Sequence, residues 1–185
     1  MIYILSGVAK SGKTYISEKI LKDYGISSFS TDYLMMSLAR ANPNIGINPD
    51  SDDAVVADQL EPYLYEMIKT MVENNKTYLI EGVHFNPPFA QKLISEFKGK
   101  LRFVYLGFAD IDVSEKIDEL NLHETLIENR WYRHFSTKQM IELIEYLKTV
   151  SSTLRKESLL REIKYIEVKN IELQQNEIIQ ELLKK

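Results

Sequence analysis

The sequence predicts an α/β fold, a parallel sheet of five strands with helices on both faces. Three observations carry that reading. Short, nearly all-apolar runs alternate with longer segments of helical spacing, five times over. The runs lack the wet face of an antiparallel strand and suit burial on both sides. A glycine-containing loop, Gly7 to Thr14, joins the first run to the first helical segment.

Each element follows from its residues. Ile2 to Ser6 is the first strand. Residues 13–23 have helical spacing, with Ile16, Ile20 and Leu21 on one face, and Gly25 stops them. Ser27 to Ser30 reads as a second strand, and a helix over 32–41 opens at Asp32. Asn42 to Asp53 holds two Pro, one Gly, three Asn and several Asp, which is loop chemistry. It is the longest irregular stretch and a candidate substrate loop. A long helix over 54–74 carries Val56, Leu60, Leu64, Met67, Ile68 and Met71 on one stripe. Thr77 to Gly82 is the third strand, and Pro87 and Pro88 start a helix reaching about Phe97. Leu101 to Leu106 is the fourth strand, followed by helices over 111–121 and 137–156. Ile163 to Val168 is the fifth, and a helix over 172–184 ends the chain.

The bulk numbers narrow the function. With 185 residues, 44% hydrophobic and 27% charged, the chain fits one domain, 1–185, with its own core. A net charge of −4 argues against a nucleic-acid partner, which needs a basic face. The absence of cysteine rules out disulfides and thiolate chemistry. The N-terminus lacks a basic region and a cleavage site, and no apolar run approaches the roughly 18 residues that cross a bilayer. A cytoplasmic protein without membrane contact is expected. The stripes at 54–74 and 137–156 read as core and leave monomer and homodimer equally open.

The chemistry begins at Gly7-Val8-Ala9-Lys10-Ser11-Gly12-Lys13-Thr14. A loop of the form G-x-x-x-x-G-K-[ST] between strand and helix aims backbone N–H groups at phosphates, beside a positive helix end. Gly7 and Gly12 allow the tight wrap, Lys13 reaches the β- and γ-phosphates, and Thr14 holds Mg²⁺. The side chains of Val8, Ala9, Lys10 and Ser11 matter less than their amides. ATP and Mg²⁺ are therefore the expected cofactors. An Asn-Lys-x-Asp motif and an Asp-x-x-Gly after a strand would mark a GTPase; both are absent, and Asn74-Asn75-Lys76-Thr77 has the wrong order. The chain is too short for a motor or a transporter ATPase.

The loop 7–14, Ser30-Thr31-Asp32 after the second strand and Ile80-Glu81-Gly82-Val83-His84 after the third resemble the nucleotide-kinase-like group, which includes adenylate, shikimate and gluconate kinases. By layout the resemblance covers most of the chain. The phrases STD and IEGVHF look most like 2-phosphoglycerate kinase-type proteins, and STD also looks like zeta-toxin-type kinases. The resemblance implies a three-layer P-loop NTPase fold with strand order 2-3-1-4-5. It also implies a small-molecule kinase that moves the ATP γ-phosphoryl group to a metabolite.

Asp32 is then expected to face the acceptor or Mg²⁺ and take part in catalysis; it also reads as a helix cap. Glu81, ending a strand, is a candidate for the Mg²⁺ shell or a structural carboxylate. His84 is a candidate substrate contact or a satisfied core residue, and Arg40 a candidate grip on an acidic substrate. Arg130 and Arg133, three apart in a flap over about 122–136, are expected to close on the transferring phosphoryl group; otherwise they flank a buried Trp131. His123 and His134 lack metal-ligand spacing, and no zinc site is expected. Lys169-Asn170 opens a loop expected near the adenine. The acceptor stays open among a 2-phosphoglycerate-like compound, a nucleoside monophosphate, a sugar acid and a nucleotide sugar. An ATP-binding regulatory module with little turnover is the rival of another class.

Overall fold

The computed structural model describes residues 1–122 and 134–184. Its five strands are β1 (Ile2–Gly7), β2 (Ser28–Ser30), β3 (Tyr78–Gly82), β4 (Leu101–Gly107) and β5 (Lys164–Glu167). The helices are α1 (Lys13–Tyr24), α2 (Thr31–Ala41), α3 (Asp53–Glu73), α4 (Pro87–Glu96), α5 (Val113–Leu122), α6 (Thr137–Leu160) and α7 (Ile171–Leu183). All strand pairs are parallel, in the order β2-β3-β1-β4-β5. This is the predicted architecture, and it puts β1 at the centre.

Alternate residues of the strands feed two different cores, as a pleated strand requires. Ile2, Ile4, Ile80, Phe103 and Tyr105 face α3, α4 and the inner side of α2. Leu5, Leu79, Val104 and Leu106 face α1 and α7. A third cluster joins Val8 of the glycine loop to Phe108, α5 and the first half of α6. The phosphate loop is therefore gripped by packing at its base.

Several boundaries differ from expectation for nameable reasons. α6 runs to Leu160, because 155–160 hold helix formers and no Gly or Pro; the chain turns only at Glu162, where φ is 55°. The segment 42–52 is less loose than expected. It contains a 3₁₀ turn at Pro43–Ile45 and buries Ile47. Leu21 does not join the inward face of α1; it is 48% exposed, and Ser17 is buried instead, its hydroxyl donating to Thr14 O at 2.8 Å. Asp32 is not a helix cap. Ser30 is the N-cap residue, no side chain caps that end, and Asp32 lies inside the first turn. Most of the expected flap, with Arg130, Trp131, Arg133 and His123, lies outside the described residues.

One bond on the sheet fixes the loop after β3. Tyr105, fully buried, donates its hydroxyl to Phe85 O at 2.8 Å. Replacing Tyr105 by Phe strands that carbonyl in the core. The expected cost is about 1–2 kcal/mol, read from urea denaturation; no loss would mean that the carbonyl finds water.

Candidate active site

The loop after β1 has the backbone its glycines allow. Gly7 and Gly12 have φ of 135° and 89°, and Lys10 also lies in the left-handed region at 62°. These turns wrap the chain around the N-terminus of α1, with Gly12 at its N-cap. A Cβ on Gly7 would lie 1.9 Å from Leu106 O, so the loop presses against β4.

Lys13 is 7% exposed, and its ammonium donates to Val8 O at 2.7 Å and Gly7 O at 3.3 Å. Burial lowers its pKa, against the opposing pull of Glu81, Asp32 and Asp53. Lys10 is held down to about 8 by burial and by the charges of Lys13 and Lys116. Ser11 Oγ is buried and has no partner among the described residues. A cation folded onto its own loop, beside a free hydroxyl and a helix N-terminus, fits a phosphate chain.

Opposite this loop stand the acidic residues. Glu81 ends β3 and is 7% exposed; burial raises its pKa, while Lys13 and a hydrogen bond from Ser30 oppose the rise. Asp32 is exposed on the first turn of α2. Gly82 lets α2 approach: a Cβ there would lie 1.8 Å from Thr31 Oγ1. His84 is 2% exposed, with Nδ1 2.8 Å from Thr31 Oγ1 and 3.8 Å from Asp32 Oδ1. Burial lowers the His84 pKa, and Asp32 and Asp53 only partly offset it. The imidazole is therefore a neutral pillar under α2.

Asp53 is the residue that sequence reasoning missed. It opens α3 and is exposed, yet its carboxyl is partly desolvated, which raises its pKa, with His84 and Lys13 pulling it down and Asp32 adding to the rise. Asn86 ties α3 to the loop after His84 by donating to Asp58 Oδ1 at 2.7 Å. The signal was the Asp50, Asp52, Asp53 cluster ending the candidate substrate loop.

The structure thus brings together Lys13, Thr14, Asp32, Glu81 and His84 at the carboxyl edge of the sheet, where open α/β folds bind ligands. Arg40 stands apart, exposed on the last turn of α2 and about 12 Å along the helix from Asp32. Arg130 and Arg133 are outside the described residues. Among the described residues no three acidic or histidine side chains converge as a metal-ligand set. Thr14 and Glu81 would hold Mg²⁺ only in part, with phosphate and water completing the shell, as is usual for this ion.

The neutral state of His84 has a measurable consequence. Its folded pKa lies below the ordinary value, so the unfolded chain binds the extra proton first as pH falls. Stability present above about pH 6.5, the ordinary histidine value, is lost as pH falls through the folded value. His84→Asn should flatten that slope in denaturation series between pH 7 and pH 5. The raised values of Glu81 and Asp53 act with opposite sign at lower pH.

Known structures share this fold. A shikimate kinase from Bacteroides thetaiotaomicron superposes with a TM-score of 0.61 at 12% identity, covering 100% of this chain and 99% of that one. The fold is that of the P-loop small-molecule kinases. A gluconokinase from Sinorhizobium meliloti 1021 matches with a TM-score of 0.52 at 20% identity, over 98% of this chain and 88% of that one. A sugar kinase from Janibacter matches with a TM-score of 0.54 at 15% identity, over 98% and 93%. No family model matches the chain, and no curated protein matches it by sequence. Among the described residues no helix is long and apolar enough to cross a membrane.

Proposed function

We propose that the chain is an ATP- and Mg²⁺-dependent phosphotransferase acting on a small hydroxyl-bearing metabolite. The observation that carries this reading is the charge-split site. A buried Lys13 ammonium and a buried Glu81 carboxylate stand on its two sides, and burial pushes both toward neutrality. A magnesium–triphosphate ligand supplies the missing partner to each: oxygens to Lys13, cationic charge to the carboxylate.

In this reading Lys13 and the loop amides orient the phosphates, and Thr14 and Glu81 hold the ion's shell. The charge neutralisation that phosphoryl transfer needs would come from the ion these two residues would hold. Asp32, exposed beside that position, accepts the proton of the acceptor hydroxyl as its oxygen bonds to the γ-phosphorus, the bond from that phosphorus to the bridging oxygen breaks, and ADP leaves. His84 fixes α2 at the required height through Thr31. For a 2-phosphoglycerate-like acceptor, the described residues offer Lys10 and Lys13 against the carboxylates of Asp32, Asp53 and Glu81. Further cationic grip would come from Arg130 and Arg133.

The test is ATP consumption against phosphoglycerates, sugar acids, shikimate and nucleoside monophosphates, with Asp32→Asn compared to wild type. The expected result is one stimulating acceptor, with stimulated turnover cut by about 10²–10⁴-fold in Asp32→Asn. ATP affinity should stay within about twofold of wild type, since general-base loss leaves the nucleotide contacts intact. If Asp32→Asn loses ATP binding in step with turnover, the acceptor role is wrong.

A further inference from the structure

α5 buries a charge that the reaction above does not use. Lys116 is 2% exposed, and its ammonium donates to Glu119 Oε2 at 2.5 Å, one helical turn further on. The same ammonium lies 4.6 Å from the centroid of the Phe108 ring. Glu119 is nearly covered too, with 10% of its side chain exposed. Its other oxygen accepts from Ile171 N–H at 3.3 Å. Burial lowers the Lys116 pKa, and the Glu119 charge and bond oppose the fall.

This pair stands directly behind the phosphate loop. α5 packs through Ile117 and Leu120 on Val8 of that loop, on Phe108, and on Ile144 and Leu147 of α6, all apolar. Ile171, held by Glu119, presses on the loop, because a Cβ on Gly12 would lie 2.6 Å from Ile171 Cγ1. The positive end of the pair faces the loop. The Lys116 charge acts on Lys10 and on Lys13, while Glu119 turns its second oxygen to Ile171.

A buried ion pair is a poor source of stability, since both charges leave water and neutral groups of the same volume do as well or better. What such a pair supplies is field, which in a dry interior reaches further than water would let it. In the empty loop three ammoniums repel one another, and Lys10 is held down to about 8. A polyphosphate seated on the loop meets the same charges as attraction. We propose that Lys116 and Glu119 form a positioning pair for phosphate, a buried dipole that backs the loop and acts on the ligand through Lys10 and Lys13. The inference rests on the phosphate-loop reading above and deepens it with a second layer of charge from α5.

The test is calorimetric titration of the full chain with inorganic tripolyphosphate at pH 8, in two buffers of different ionisation heat, beside a urea curve for each protein. The double variant Lys116→Met, Glu119→Gln removes both charges, keeps similar volumes and leaves an oxygen for Ile171 N–H. Its urea midpoint is expected at or above that of wild type. Its affinity for tripolyphosphate should fall at least about tenfold. The two buffers count protons. Lys10 of wild type, near its midpoint at this pH, should take up a proton as the anion binds. Without the Lys116 charge Lys10 is more fully protonated beforehand, so the double variant should take up less. Lys116→Arg keeps the charge and should bind within about threefold of wild type. Unchanged affinity or unchanged proton uptake in the double variant would overturn the proposal. So would weaker binding with a fallen urea midpoint, which makes the pair merely structural, or a loss in Lys116→Arg as large as in the double variant. In each case tripolyphosphate bound by wild type but not by Lys13→Ala leaves the phosphate-loop reading standing. No binding by wild type brings down that reading and this inference together.

Discussion

Lys13→Ala is expected to abolish nucleotide turnover, by about a thousandfold or more, with the protein still folded. The effect follows from where the ammonium lies. It is almost fully buried, and its bonds go to the carbonyls of Gly7 and Val8 in its own loop. No part of the core depends on it. Burial already disfavours its charge, so losing it removes a desolvation cost along with two hydrogen bonds. The net effect on stability is therefore small. Catalysis is different, because phosphoryl transfer is positioning plus charge, and no other described lysine opens α1. A single well-placed donor in such a site contributes 10²–10³ in rate, and a full positive charge at the transferring group stands at the upper end of that range. The measurement is ATP consumption with the best acceptor, beside a urea curve for each protein. Unchanged turnover would sink the phosphate-loop reading. Lost turnover with a collapsed urea midpoint would mean that Lys13 is structural.

Gly7→Ala gives the largest loss of stability. Two independent penalties meet at this residue. Its φ of 135° lies in a region that side chains rarely adopt, and a Cβ there would sit 1.9 Å from Leu106 O and 2.7 Å from Leu106 N. Both obstructing atoms are backbone of β4, which pairs with β1 at this register position. No side chain can rotate out of the way, so the two central strands must part, and the Val8 N–H bond to Leu106 O parts with them. The expected cost is roughly 3–4 kcal/mol, in the range reserved for overpacking and backbone strain. For a chain of this size that lowers Tm by about 10 °C. Gly25→Ala is the matched control. Its φ is 67° and nothing lies within 4 Å, so only the left-handed backbone penalty of about 1–2 kcal/mol remains. Equal losses in the two variants would show that the contact with β4 yields easily.

What the sequence made legible was what neighbouring residues decide together. Gly7 to Thr14 is contiguous, and each position has a backbone reason to be there. The strands announced themselves as apolar runs, and the sheet order came with the family likeness. Asp53 was hidden because its place in the site depends on the path of residues 42–52, which no local pattern encodes. His84 was visible as a candidate, but its role as a neutral pillar rests on Thr31, 53 residues away. Leu21 was misplaced because Ile20 and Leu21 differ by only 100° around α1, less than the width of a buried stripe. Arg130 and Arg133 remain an expectation from the sequence and its resemblance.

The two halves of the site do not share one level of protection. The phosphate loop hangs from β1, which has a parallel partner on each side. α2, which carries Asp32, hangs from β2, an edge strand of three residues bonded to β3 alone and nowhere fully covered. Opening that strand exposes little apolar surface and breaks few ladder bonds, so it costs far less than global unfolding. In amide hydrogen exchange, β2 and the start of α2 are expected to form a separate, fast cooperative unit, with β1 and β4 exchanging only with the whole chain. In the proposed reaction, the molecule could thus loosen its grip on an acceptor without releasing the loop proposed to grip phosphate.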